Sequence, residues 1–198
     1  LQVHLATTSA HKLAEFMPLL AGSSLSLSAM PAPLDIEETG LTFAENACLK
    51  AVTAARHWQV PCLADDSGIA IRALGGRPGI HSARYADTDA ARIGRVLGEL
   101  EGAADRGATF HCALALAWPD GRAVEVEGVV DGAVTLAPRG AGGFGYDPVF
   151  EVTGTGLTYA ELSADDKNRL SHRAVAVRLL LDRLAASVQS GQPVRAGD

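Results

Sequence analysis

The 198-residue chain lacks the features that would tie it to a disulfide framework, a membrane or a nucleic acid polymer. Its three cysteines, Cys48, Cys62 and Cys112, are widely spaced, odd in number and set among apolar residues, and no Cys-x-x-Cys pair occurs. That pattern excludes a stapled scaffold and a thiolate zinc site, and it reads as buried thiols in a reducing, cytoplasmic compartment. No apolar run reaches the roughly 18 residues that a membrane span needs, and no leader-peptide pattern is visible. Basic charge is in short supply, with 17 Lys and Arg against 23 Asp and Glu and a formal net charge of -6. A general nucleic-acid binder needs a basic footprint, so no polymer partner is expected; a local basic cluster could still hold one nucleotide. What remains is an ordinary globular composition, 47% hydrophobic and 20% charged, at a length that suits one domain or two small lobes sharing a core.

The pattern along the chain alternates strands and helices. Val3 to Thr7 reads as a short buried strand, and Leu13, Phe16, Met17 and Leu20 then fall at helical spacing over Ser9 to Leu20. Ser24 to Ala29 reads as a second strand and Met30 to Gly40 as an acidic loop. Thr42 with Glu45 forms a capping box that opens a helix to about Trp58. Pro61 to Ala64 and Ile69 to Ile71 read as strands flanking an acidic turn. Gly75 to Gly79 is a loop and Asp89 to Leu100 a helix. Ala108 to Trp118 reads as a long strand that returns through Asp120-Gly121 as Ala123 to Val130. Asp131-Gly132 marks a further turn or bulge before Val134 to Leu136, and Pro148 to Val152 is a short strand. Leu170, Ala174, Val177, Leu181, Leu184 and Val188 define a C-terminal helix packed on the core. The expectation is a single domain over residues 1–189 with a flexible polar tail at 190–198. The fold class is α/β, with a mixed sheet because of the hairpin.

Chemistry concentrates in six places. Ala64-Asp65-Asp66-Ser67-Gly68 sets two carboxylates side by side, where a strand is expected to turn. Such acids can simply cap a turn, but adjacent carboxylates repel and a cation relieves that cost. Hard cations such as Mg²⁺ take carboxylate oxygens together with substrate phosphates. Thr7-Thr8-Ser9-Ala10-His11-Lys12 places three hydroxyls and an ammonium at a strand-to-helix turn, where helix-start amides attract anions; an N-cap with a solvated lysine has the same pattern. Asp35, Glu37 and Glu38 crowd one loop, and one of them could complete a metal site, with a solvated acidic loop as the other reading. Asn46 and Lys50 share a helix face. Gly140 to Pro148 embeds Phe144 and Tyr146 among glycines, which suits close backbone approach and stacking on a base. Lys167, His172 and Arg173 lie where two helical segments meet, and cations in a helix's first turn need an acceptor partner.

These segments together resemble the Ham1-like purine nucleoside triphosphate pyrophosphatases (inosine triphosphatases), from about Val3 to Ala186. The motifs that match are Thr7 to Lys12, Glu37 to Ala47, Lys50-Ala51, Ala64 to Gly68, Leu74 to Gly76, Pro78-Gly79, Ser82 to Tyr85, Gly142 to Pro148 and Ser171 to Arg173. The resemblance implies an elongated, twisted mixed sheet flanked by helices, two lobes with a central substrate cleft, and a homodimer. It implies Mg²⁺-dependent hydrolysis of ITP, dITP and XTP to the monophosphate and pyrophosphate. By the same resemblance Asp66 is the general base and Lys50 a catalytic-site lysine, with Glu38, Asp65 and Asp66 at the metal. Thr7, Thr8, Ser9, Lys12 and Ser67 would hold phosphate. Phe144, Gly145, Tyr146, Asp147, Lys167, His172 and Arg173 would bind the base. One departure is plain: the family's first motif usually reads Thr-Gly-Asn, whereas this chain has Thr7-Thr8-Ser9. A Maf-like pyrophosphatase, a nucleotide-binding regulator and a metal-dependent nuclease are the alternatives. The Gly142 to Pro148 run, the intact acids with Lys50, and the negative net charge respectively disfavour them.

Overall fold

The computed structural model describes residues 1–190. It is an α/β protein with a six-stranded mixed sheet in the order β2-β1-β3-β4-β5-β6. The strands are β1 (Gln2–Leu5), β2 (Ser26–Ala29), β3 (Cys62–Ile71), β4 (Gly107–Ala117), β5 (Ala123–Val134) and β6 (Phe150–Val152). The helices are α1 (Ala10–Leu20), α2 (Phe43–Trp58), α3 (Asp89–Glu99), α4 (Ala164–Leu170) and α5 (His172–Ser190). β1 pairs in parallel with β2 and β3, whereas β6 is antiparallel to β5. Among the described residues, no helix is long and apolar enough to cross a membrane.

Helix starts follow the local chemistry. The Ser9 side chain accepts from Lys12 N–H to open α1, and Thr42 accepts from Glu45 N–H to open α2. The Glu45 carboxylate returns to Leu41 N–H at 2.6 Å, so the capping box reaches one residue further back than its usual pattern.

The chain divides into two units, and β3, β4 and β5 each carry residues of both. The first holds residues 1–66, 112–128 and from 173 onward. Its part of β4 alternates strictly. Cys112, Leu114 and Leu116 join Phe16 of α1 and Val177 and Leu180 of α5, whereas Ala113, Ala115 and Ala117 meet Ala47, Ala51, Ala54 and Ala55 of α2. Small residues on both sides let α2 lie close to the strands. The larger residues on the other face supply most of the burial, at roughly 2 kcal/mol for each fully buried leucine. The second unit, residues 67–111 and 129–172, packs Ile69, Ile71, Val96, Leu100, Phe110, Phe150 and Tyr159 into its own core.

Two expectations need correction. There is no acidic turn: β3 runs unbroken through Asp65 and Asp66. Nor does β5 break at Asp131-Gly132, since Gly132 pairs with Val152 of β6. A Cβ on Gly132 would lie 2.3 Å from the Glu151 carbonyl oxygen and 2.5 Å from the Phe150 ring, so this glycine serves close strand approach, not chain reversal. α5 includes Ser190, and the remainder of the expected tail, 191–198, lies outside the described residues.

Candidate functional site

Successive strand residues point to opposite faces, so Asp65 and Asp66 belong to different environments. Asp66 follows Ala64 onto the α2 face. Asn46 of α2, fully buried, donates its side-chain amide to Asp66 Oδ2 at 3.2 Å and accepts Gly40 N–H at 2.8 Å. Lys50, one turn further, places Nζ 3.5 Å from Asp66 Oδ1 and 2.6 Å from Glu38 Oε1. Burial pushes the Asp66 carboxyl above the usual carboxylate range. Lys50 pulls it back part-way, Glu38 pushes it up again, and Lys12 and the Asn46 amide lower it. Burial alone would favour a neutral Lys50 amine, but the fields of Asp65, Asp66 and Glu38 outweigh it and hold the lysine above its ordinary value. Lys50 is therefore a fixed positive charge, and Asp66 is the group suited to take a proton.

Asp65 follows Leu63 onto the other face. Its carboxylate lies 3.0 Å from Lys12 Nζ of α1 and 3.9 Å from Arg173 Nε at the start of α5. Arg173 also grips Glu15 of α1 at 2.6 Å, with 5% of its side chain exposed. The structure thus brings Glu38, Lys50, Asn46 and Asp66 together on one side of β3 and Lys12, Asp65, Glu15 and Arg173 on the other. Of the two neighbouring glutamates, Glu38 reaches Lys50, while Glu37 is exposed.

A cavity of about 350 Å³ in the first unit is lined by Thr7, Thr8, Ser9, Lys12, Glu38 and Lys50, with apolar walls that include Leu34, Ile36 and Trp58. Thr7 Oγ1 accepts from Ser9 N–H and Ser9 Oγ from Lys12 N–H, which leaves each hydroxyl proton to donate. The Thr8 departure is accommodated without strain: Gln59 is the one non-glycine residue with positive φ among those described, so Thr8 needs no glycine-like backbone. Thr8→Gly is expected to cost about 0.5–1 kcal/mol of stability through added chain freedom. It should also raise KM for a triphosphate substrate by roughly 3-fold if the hydroxyl supports phosphate, an effect of under 1 kcal/mol; melting and steady-state kinetics measure both. Ser67 follows Asp66 on β3 and opens the second unit.

The remaining expected site residues up to His172 fall in the second unit. Lys167 Nζ binds Asp147 Oδ2 at 2.6 Å and lies 5.7 Å from the centre of the Phe144 ring. Gly143 is required beside them, since a Cβ there would sit 2.0 Å from Asp147 Oδ2. The other aromatic and cationic groups of the set are buried. Tyr146 is buried in the core, with its hydroxyl donating to the Ser82 carbonyl at 2.9 Å. Burial pushes that phenol well above its usual range. His172 is 1% exposed and stacks on Phe110 at 4.5 Å. Arg173 is turned to Glu15 and Asp65. Phe144, Gly145 and Lys167 are the members of the set that retain partial exposure.

Among the described residues, no three His, Cys, Asp or Glu side chains form a ready-made metal-holding group. Asp65 follows Leu63 onto the other face of β3 and is paired with Lys12, although its charge still acts on Lys50. Glu38 and Asp66, however, converge on one cation already, the Lys50 ammonium. Two carboxylates plus substrate phosphates suffice for Mg²⁺, so these two residues fit the ion.

The sequence profile of the Ham1 family matches residues 3–183 of this chain. The chain belongs to the Ham1 family. It is 47% identical over 187 residues to a dITP/XTP pyrophosphatase of Prochlorococcus marinus, covering 94% of each chain. It is 52% identical over 177 residues to a dITP/XTP pyrophosphatase of Gloeobacter violaceus, covering 89% of this chain and 91% of that one. A solved HAM1 protein from Coxiella burnetii superposes with a TM-score of 0.83 at 43% identity, over 94% of this chain and 99% of the other.

In this Ham1-family chain helical spacing puts Asn46 beside Lys50, but its bond to Asp66 depends on both residues facing β3. Glu15, one turn after Lys12, shares the Asp65 face, and only that i, i+3 spacing hinted at it. The apolar cavity walls from Leu34 and Trp58 carried no local signal.

Proposed function

We propose that this protein hydrolyses inosine- and xanthosine-type purine nucleoside triphosphates to the monophosphate and pyrophosphate, and so clears them from the nucleotide pool. The carrying observation is the buried Asp66 carboxylate, fixed by Asn46 on one oxygen and faced by Lys50 on the other, beside a cavity lined with hydroxyls and ammonium groups. The relatives named above, dITP/XTP pyrophosphatases at 47% and 52% identity, support the substrate class.

In this reading the triphosphate is held by Thr7, Thr8, Ser9 and Lys12. Asp66 takes a proton from a water molecule whose oxygen bonds to the α-phosphorus. The bond from that phosphorus to the α–β bridging oxygen breaks, and pyrophosphate leaves with its charge met by Lys12 and Lys50. Glu38 and Asp66 would hold Mg²⁺, which when bound neutralises phosphate charge. Phe144, Gly145 and Lys167 are assigned to the base. A C6 carbonyl accepts a hydrogen bond where the adenine amino group would face a donor with a donor, and such mismatches discriminate strongly.

The test is pyrophosphate release with Mg²⁺ from ITP, XTP, GTP, ATP and dTTP in parallel. Rapid release from ITP and XTP with little from the others is expected. Release from none of the five would overturn the assignment and redirect attention to a Maf-like substrate or to binding without turnover.

A further inference from the structure

The loop from Gly140 to Asp147 carries backbone N–H groups that could meet a purine carbonyl, but four of them already have acceptors, among them Gly142 N–H, which donates to the Ala160 carbonyl at 3.1 Å. Phe144 N–H donates to Asp147 Oδ2 at 2.9 Å, Gly145 N–H to Asp89 Oδ2 at 2.7 Å, and Asp147 N–H to the Phe144 carbonyl at 3.2 Å. Two consecutive amides thus end on two carboxylates of different origin. Asp147 belongs to the loop itself. Asp89 lies 56 residues earlier, as the first residue of α3.

Asp89 is itself restrained. Its Oδ1 is held by Arg92, one turn along α3, and Arg92 Nε donates to the Ala86 carbonyl at 2.9 Å. The carboxylate therefore cannot turn away from Gly145 without giving up a brace that ends on the backbone. Bonds from an amide to a charged acceptor are the stronger kind. Gly145 adopts φ +63°, so the peptide on its N-terminal side, which carries Phe144, takes its direction from that bond. What Asp89 fixes through this bond is the backbone from which the Phe144 ring projects.

We propose that Asp89 is a positioning residue for base recognition: by holding the Gly145 amide it sets the seat of Phe144 and with it the preference for a purine carrying a C6 carbonyl. The inference rests on the reading of Phe144 to Asp147 as the base-binding segment. An Asp89 side chain that is 47% exposed competes with water for its bond, so the effect is of a tilted seat and not of a lost one.

The experiment compares the kcat/KM ratio for ITP over ATP in the wild type, Asp89→Ala, Asp89→Asn, Phe144→Ala and Glu99→Gln, together with amide exchange at Gly145 by NMR. Glu99 braces Tyr85 and Arg95 in the same unit and does not touch the loop, so it controls for a general loss of stability. Asp89→Ala is expected to raise KM for ITP by about 10-fold, to lower the ratio about 10-fold with kcat within about 3-fold, and to speed exchange at Gly145. Asp89→Asn keeps a carbonyl oxygen for the amide and should recover the ratio to within about 3-fold. Glu99→Gln should leave the ratio alone. If Phe144→Ala collapses the ratio but Asp89→Ala does not, Asp89 is structural only and the inference fails by itself. If Phe144→Ala leaves the ratio intact, the base-binding reading fails and takes the inference with it.

Discussion

Asp66→Asn is expected to lower kcat for pyrophosphate release from ITP by about 10³-fold, within the range that general-base catalysis supplies. Folding should survive, because the new side chain keeps an oxygen for the Asn46 amide at the same place. Substrate binding should change little, since the phosphate-holding hydroxyls and Lys12 are untouched. The buried carboxyl also gives a pH signature. Only ionised Asp66 can take a proton, so activity should fall as pH drops through its folded pKa, above the range of an exposed aspartate. The linked stability has the opposite sense. A carboxyl whose folded pKa is raised favours folding below its unfolded value and loses that contribution as pH climbs through the folded one. Without divalent cation, the wild type should therefore lose stability across that window, whereas Asp66→Asn, neutral throughout, should not. Near-normal turnover by the variant would remove Asp66 from the role of base; parallel stability profiles would mean that its carboxyl is not perturbed.

The second large effect is on stability. Arg173→Ala should destabilise the protein by about 3 kcal/mol or more, because it strips a buried guanidinium from Glu15 and leaves Asp65 with Lys12 as its remaining ammonium. For a chain of this size that corresponds to a melting temperature lower by roughly 6–12 °C. Arg173→Lys should recover only part of it, since an ammonium cannot reproduce the planar fork of donors that serves two acids. Calorimetry of the three proteins decides the matter. A variant that melts at the wild-type temperature but loses its preference for ITP over ATP would give Arg173 the base-reading part that the resemblance implies.

Much of this arrangement could be read along the chain because the chemistry was local. The caps at Ser9 and Thr42 are side chains bonding amides three residues away, and α1 and α2 begin where those residues stand. Lys50 and Asn46 share a face by helical spacing alone. The errors arose where distant partners overrode local preference. Asp-Asp-Ser-Gly favours a turn while its carboxylates need water. Lys12, Arg173, Lys50 and Asn46, each from a helix, supply cations and donors on both faces instead, and the strand can run straight through. Gly132 likewise looks like a turn until Phe150 and Glu151 close on it. Arg173 finds Glu15 across 158 residues, a separation at which no spacing rule operates.

The continuity of β3 has one more consequence. Which of two chemically identical aspartates meets Asn46 and Lys50 is decided by parity. β1 and β3 are locked with His4 opposite Cys62 and Leu5 opposite Leu63. A slip of one residue would exchange the acids, carrying Asp65 toward Asn46 and Lys50 and delivering Asp66 to Lys12 and Arg173. The same slip would drive Leu63 against the alanines of α2 and leave Ala64 opposite Phe16 and Val177. Steric fit between alanine and leucine layers is thus what selects the carboxylate presented to Asn46 and Lys50.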